Sequence, residues 1–232
     1  AHGFGGSKAS VATDAEYLAD RGFVVLAYTA RGFGGSTGTI SMNSPDFEIA
    51  DASAVIDYLA TLDTVTQDGA SDPRVGFAGG SYGGALSLMA AGYDNRVNAV
   101  SADITWNDLQ TSLFGQSVSN PPASRGVGVF KQLWSGLFFS AGLVTQDGEV
   151  TDCGRFAPDW CAAYSTAAAD GVLTDKAREL MAASSPASIT DRISVPTLLG
   201  GGQSDSLFPL AQTSANAEQI SAANEAVKVV WH

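Results

Sequence analysis

Histidine and cysteine are scarce in this 232-residue chain: it holds His2, His232, Cys153 and Cys161 and no others. A Cys/His zinc site takes about four such ligands at short spacings, and an HExxH helix takes two histidines one turn apart. These positions supply neither, so no metal site is expected. Basic residues are also few, with 12 Lys and Arg against 24 Asp and Glu and a net charge of −12. Such a surface repels phosphate backbones and anionic lipid, which excludes nucleic acid and membrane surfaces as partners. No apolar run approaches the roughly 18 residues of a membrane span, and the first residues show no basic stretch followed by an apolar one. Nucleotide binding is excluded on similar grounds. The run Gly32-Phe33-Gly34-Gly35-Ser36-Thr37 lacks the third glycine of GxGxxG, and no GxxxxGK[ST] occurs.

What is present is a hydrophobic fraction of 45% with 26 glycines, enough for one sizeable core carrying an insertion. Apolar runs rich in β-branched residues recur at Phe23 to Tyr28, Arg74 to Ala78, Val97 to Ile104, Val195 to Leu199 and Val227 to Trp231. Helical stretches are expected between them, near Val11 to Ala19, Tyr82 to Ala91 and Leu210 to Ala222, and this alternation predicts an α/β fold with a mostly parallel sheet flanked by helices. Ser44 reads as an N-cap, with Pro45 in the first turn and Asp46 and Glu48 at the positive end of the helix dipole. Phe47, Val55, Tyr58, Leu59 and Leu62 are then expected to face inward.

Residues 107–186 break the rhythm. They hold Phe114, Phe130, Trp134, Phe138, Phe139, Phe156, Trp160 and Tyr164, with Trp106 just before them. Val127, Phe130, Trp134, Leu137, Phe138 and Ala141 fall at helical spacing, and Thr174 can cap a helix running to Met181. We read a helical cap over 107–186, inserted between core segments 1–106 and 187–232. Its aromatics form a satellite core, with Trp106, Phe114, Trp134 and Phe208 expected to line a substrate pocket. Cys153 and Cys161 fit a local disulfide or two small buried thiols. The acidic, lysine-poor composition favours the disulfide and a secreted or cell-envelope location.

Chemistry is concentrated at Gly79-Gly80-Ser81-Tyr82-Gly83-Gly84, directly after one strand and directly before one helix. This is G-x-S-x-G in its strand–turn–helix setting, where a sharp turn exposes a serine nucleophile and leaves no room for side chains at Gly79 and Gly83. Acyl transfer also needs donors for the developing oxyanion. The N–H of Tyr82 and, from the loop His2-Gly3-Phe4-Gly5-Gly6, the N–H of Phe4 are the candidates, with His2 anchoring that loop. In this chain order the acid follows the nucleophile and the histidine comes last. Asp205, past the strand ending at Leu199, is the acid, and the alternative role of capping the helix near Pro209 could be filled by Ser206 as well. His232 is the base. Arg31 is expected to tie the Gly32 loop to nearby carboxylates.

The stretches Ala1 to Lys8, Ala30 to Gly38, Gly79 to Gly84, Asp103 to Leu109 and Asp205 to Pro209 resemble the α/β-hydrolases of the Xaa-Pro dipeptidyl-peptidase and cocaine-esterase-like group, peptidase family S15. The resemblance implies a Ser–Asp–His triad, a helical cap, and hydrolysis of an ester or amide without a cofactor. Several members place a tyrosine hydroxyl in the oxyanion hole, whereas the matching loop here offers Phe4 and leaves only backbone donors. Ester substrates are therefore expected ahead of Xaa-Pro peptides, and a non-catalytic binding protein on the same scaffold is the rival class. The resemblance also implies a central strand before the His2 loop, between the strands at 23–28 and 74–78. It further implies a Gly-Gly-His just past the stretch matching Val229 to His232, so His232 is either the base or its upstream neighbour. The N- and C-terminal parts of the fold are thus expected to lie outside this sequence, in a polypeptide that extends in both directions or, for the strand, in another chain.

Overall fold

Four of the five expected strands pair into one sheet in the computed structural model, which describes residues 1–115, 128–145 and 147–232. The chain runs through α1 (Ala12–Ala19), a π-helical turn at Pro45–Ile49, α2 (Ala50–Ala60), and the short antiparallel pair β1 (Gln67–Gly69) and β2 (Asp72–Pro73). It continues through β3 (Val75–Gly80), α3 (Tyr82–Tyr93), β4 (Val97–Asp103), α4 (Leu109–Phe114), α5 (Gln132–Ala141), α6 (Pro158–Asp170) and α7 (Asp175–Ala183). It ends with β5 (Thr197–Gly201), α8 (Leu210–Ser221) and β6 (Val227–Trp231). The sheet order is β3-β4-β5-β6 and every pairing is parallel. Gly80 faces Asp103, Asp103 faces Gly200, and Gly201 faces Trp231. Ser81, Ile104, Gly202 and His232 therefore all leave the sheet along one edge, where parallel α/β sheets gather their chemistry.

The fifth expected strand, Phe23 to Tyr28, does not form. Phe23 is 63% exposed, and residues 23–30 make no ladder. β-branched residues hold a strand only against a partner, and among the described residues no strand lies beside the outer edge of β3. That edge instead receives the amino group of Ala1, which donates to Ala78 O at 2.6 Å.

Two apolar clusters share α3, which is buried from Tyr82 to Gly92. Leu86, Leu88 and Met89 join Val97, Val100, Leu199, Ile56 and Ile220 under the sheet. Tyr82 and Ala85 join Trp106, Phe139, Phe156, Trp160 and Met181 on the other side. This second cluster draws on α4 to α7, the segment where a cap is expected, together with Ala30, Phe33, Ile40, Leu207 and Phe208 from the core segments. Thr174 caps α7 by accepting from Ala177 N at 3.2 Å. Cys153 and Cys161 form a disulfide. Of the residues expected at helical spacing, Val127 lies outside the described residues, Leu137 is exposed, and Phe130 precedes α5.

The face of α2 is rotated from the one expected. Ile49, Ala52, Ile56 and Leu59 are buried, whereas Phe47 and Tyr58 are exposed. Ala52, Ile56 and Leu59 make a helical stripe as regular as the one expected, and packing against Leu86, Met89 and Val97 selects it, while Phe47 lies in the π turn at Pro45–Ile49 rather than in the helix. Arg31 does tie down the neighbouring loop, pairing with both oxygens of Asp51 at 2.6 and 2.7 Å.

Candidate active site

Ser81 sits at φ 54°, ψ −120°, a torsion pair that a residue with a side chain adopts only under strain. The turn is pinned from both ends: Ser81 N–H donates to Asp103 O at 2.9 Å, and the Thr105 hydroxyl donates to Ser81 O at 2.7 Å. Strand and helix meet so tightly that a Cβ on Gly79 would stand 2.7 Å from Gly83 O, and one on Gly83 would overlap the carbonyl of Ala1. Both glycines are therefore required sterically, as expected. The Ser81 side chain faces a cavity, and its hydroxyl has no hydrogen-bond partner among the described residues.

Behind the nucleophile lies a buried polar cluster that the sequence reading missed. The Tyr82 hydroxyl donates to Glu48 Oε1 at 3.2 Å, and Asn43 Nδ2 donates to Tyr82 O at 2.9 Å. Glu48 also accepts from Ser41 N and Ser44 N, at 2.6 and 3.1 Å. Burial pushes the Glu48 carboxyl and the Tyr82 hydroxyl above their ordinary ranges. The available signal was Ser44 with a glutamate four residues on. A capping box places that glutamate at three, so the extra residue marks the π turn.

His2 anchors its loop. Its Nε2 accepts from Ala30 N–H at 2.9 Å, so Nδ1 carries the proton and donates to Gly3 O at 2.8 Å. With both nitrogens engaged and burial pushing the ring pKa down, His2 is held neutral and has no free nitrogen for Ser81. The loop carries Gly3 against the elbow, where its Cβ position lies 3.8 Å from Gly80 O. Phe4 follows, its ring edge-on to Phe33 and Tyr82. The N–H groups of Phe4 and Tyr82 donate to nothing among the described residues.

The expected Asp205–His232 pair is not formed. Asp205 Oδ1 accepts from Leu207 N at 2.8 Å and Phe208 N at 2.9 Å, closing the turn that leads into α8. His232 Nε2 lies 3.0 Å from Asp103 Oδ1 instead. The sheet register accounts for this: Asp103 ends β4 opposite Gly200, its carboxylate lies over the glycine where a side chain would displace it, and β6 ends one strand further on. The acid loop is held from elsewhere. Lys131, buried at the start of α5, directs its ammonium at Ser206 O and Leu207 O, and Trp134 Nε1 reaches Ser206 Oγ at 3.3 Å. Lys131 stands alone in an apolar stretch, Val129-Phe130-Lys131-Gln132-Leu133-Trp134, which was its only signal in the sequence.

The cavity over Ser81 encloses about 800 Å³ including its open mouth. Of the residues expected to line it, Trp106 and Phe208 do. Phe114 and Trp134 do not: Phe114 is buried under Phe130, and Trp134 stacks outside on Phe138. Phe4, Phe130, Phe138, Phe139, Phe156 and Trp160 complete the aromatic surround. Among the described residues, those lining the cavity include no Asp, Glu, Lys or Arg.

The chain is similar to an uncharacterized protein of Escherichia coli, 39% identical over 101 residues, covering 43% of this chain and 31% of that one. A second similar protein, uncharacterized, from Pseudomonas aeruginosa, is 36% identical over 87 residues, 37% of this chain and 22% of that one. The chain thus matches less than a third of the length of these curated relatives. Among solved structures it superposes on the Pyrococcus furiosus esterase Pf2001 with a TM-score of 0.62 at 19% identity, over 99% of this chain and 70% of that one. It also superposes on a Paleococcus ferrophilus monoacylglycerol lipase with a TM-score of 0.59 at 18% identity, over 100% of this chain and 81% of that one. These likenesses show the α/β-hydrolase fold. The family model described as X-Pro dipeptidyl-peptidase (S15 family) matches residues 4–232, and the chain belongs to that family.

Proposed function

We propose that this protein is a serine hydrolase that cleaves carboxylic esters through an acyl-enzyme intermediate. The observation that carries the reading is the strained Ser81, opening into an apolar cavity, its hydroxyl and the N–H groups of Phe4 and Tyr82 unengaged among the described residues. Ser81 Oγ attacks the acyl carbon while its proton passes to a histidine, and the carbonyl oxygen gains negative charge between the N–H groups of Phe4 and Tyr82. The alcohol leaves with that proton. Water then adds to the acyl carbon, giving up a proton to the same base and releasing the acid and the free serine.

His232 is the proton acceptor this chain offers, since both nitrogens of His2 are committed. Asp205 is the orienting acid in the family's chain order, and Asp103 is the carboxylate that holds His232 here. Family membership makes Xaa-Pro dipeptidyl cleavage the second reading. That activity calls for an acidic group near the nucleophile to hold the substrate ammonium, and the apolar lining favours esters instead. The disulfide fits an oxidising compartment, so we place the protein outside the cytosol.

A fluorophosphonate probe followed by peptide mapping tests the nucleophile: labelling at Ser81 is expected, and an unlabelled protein would point to a non-catalytic binding role. p-Nitrophenyl esters of graded acyl length, run beside an Ala-Pro anilide, test the substrate class. Faster turnover of the anilide would select the peptidase.

A further inference from the structure

Glu48 is a buried acid that the chemistry above does not use. It lines no part of the cavity, yet three donors converge on its carboxylate: the N–H groups of Ser41 and Ser44 and the hydroxyl of Tyr82. Taking a charge out of water is costly unless such donors replace the solvent. The two N–H groups bracket Met42 and Asn43, which stand at φ 55° and 62°, two left-handed residues in succession and neither a glycine. A strained backbone of this kind persists only where its surroundings fix it. Glu48 fixes it by gripping the residue on each side.

The strained turn in turn holds Tyr82. Asn43 N–H donates to the Tyr82 hydroxyl at 3.3 Å and Asn43 Nδ2 to Tyr82 O at 2.9 Å, while the hydroxyl donates onward to Glu48 Oε1. Both oxyanion donors depend on where this residue sits. Its own backbone supplies one N–H, and Phe4, which supplies the other, packs edge-on against the Tyr82 ring with centroids 5.7 Å apart. The peptide joining Ser81 to Tyr82 is gripped at its carbonyl end as well, by the Thr105 hydroxyl. We propose that Glu48 is a positioning residue of the oxyanion hole: by holding the Tyr82 hydroxyl and the turn 41–44, it sets the spacing of the Phe4 and Tyr82 N–H groups. The proposal rests on the ester-hydrolase reading and adds a residue on which its rate depends.

The test separates placement from packing. Tyr82→Phe keeps the ring and removes the hydroxyl, and Glu48→Gln keeps the shape and removes the charge. In each, kcat for p-nitrophenyl butyrate should fall about tenfold with KM within about twofold, a part of the roughly 10²–10³ that a whole oxyanion donor supplies. The double variant should lose about as much as the worse single one, since both changes cut the same contact. A trifluoromethyl ketone, whose serine adduct carries the oxyanion, should bind each variant about tenfold more weakly, while the matching methyl ketone binds as before. Thermal melts set an assay temperature at which the proteins are folded, and if Glu48→Gln does not fold, Tyr82→Phe alone decides. Folded variants with unchanged kcat and ketone affinity overturn the proposal, as does a loss confined to KM. A natural protein that neither hydrolyses esters nor takes the fluorophosphonate label overturns the hydrolase reading, and the proposal with it.

Discussion

Lys131 Nζ donates to Ser206 O at 2.7 Å and to Leu207 O at 2.8 Å, so the first residue before α5 holds the loop that carries Asp205. Burial pushes the ammonium's pKa down, and the nearby Asp205 carboxylate opposes that shift. Replacing Lys131 with Met keeps the stem and removes both charged hydrogen bonds. We expect a loss of about 2 kcal/mol in denaturant unfolding and roughly a tenfold drop in ester turnover, with Lys131→Arg recovering part of each. Unchanged unfolding would show that the clamp contributes nothing.

Ser81→Ala should remove at least ~10³-fold of the hydrolysis while leaving the fold intact, because the side chain faces a cavity and fills no core space. Ser81→Gly should be equally inactive yet more stable than the alanine variant by about 1 kcal/mol, since glycine adopts φ 54° without strain. Thermal melts of the two inactive proteins measure this difference directly.

The two carboxylates around the base are separable. Asp205 is the acid of the family's chain order, although it does not touch His232 in this structure, and on that reading Asp205→Asn is expected to lower kcat by ~10²-fold or more. Asp103→Asn, which loosens His232 where it now stands, should cost less than tenfold. The reverse order in kcat would make Asp103 the acid of the triad.

Acid should weaken the fold through His2. Burial depresses its folded pKa below the ordinary 6.5, so the stability it confers is fully present above that value and is lost as pH falls through the folded pKa. Protonation at Nε2 also removes the acceptor for Ala30 N–H, which frees the loop bearing Phe4. The melting temperature of the natural protein should fall from pH 7.5 to pH 5 more steeply than that of His2→Gln. Parallel slopes would exclude His2 as the source.

The elbow was legible because its constraint is local: only glycines fit at 79 and 83, and a strand and a helix must flank them. The disulfide and the Thr174 cap were legible for the same reason, whereas Arg31 was legible as a tether but its partner Asp51 was not. The face of α2 was not, because Ala52, Ile56 and Leu59 form as good a stripe as Val55, Tyr58 and Leu59, and only the partner it packs on chooses between them. Phe23 to Tyr28 has strand composition but no ladder to join, and composition carries no information about partners. Likewise, Phe114 and Trp134 are as aromatic as Phe138 and Phe156, and only the packing of α4 to α6 decides which of them reach the cavity. The contact of His232 with Asp103 spans 129 residues and follows from sheet register, which periodicity does not specify.

The double burial of α3 has a consequence for heat. Its first residues carry the nucleophile turn and close one apolar cluster, while its middle residues complete the other. The two clusters therefore cannot loosen independently, and the reactive serine has no melting unit of its own. On warming, esterase activity and far-ultraviolet dichroism should decay together along one sigmoid, with no temperature at which an inactive but still folded protein accumulates.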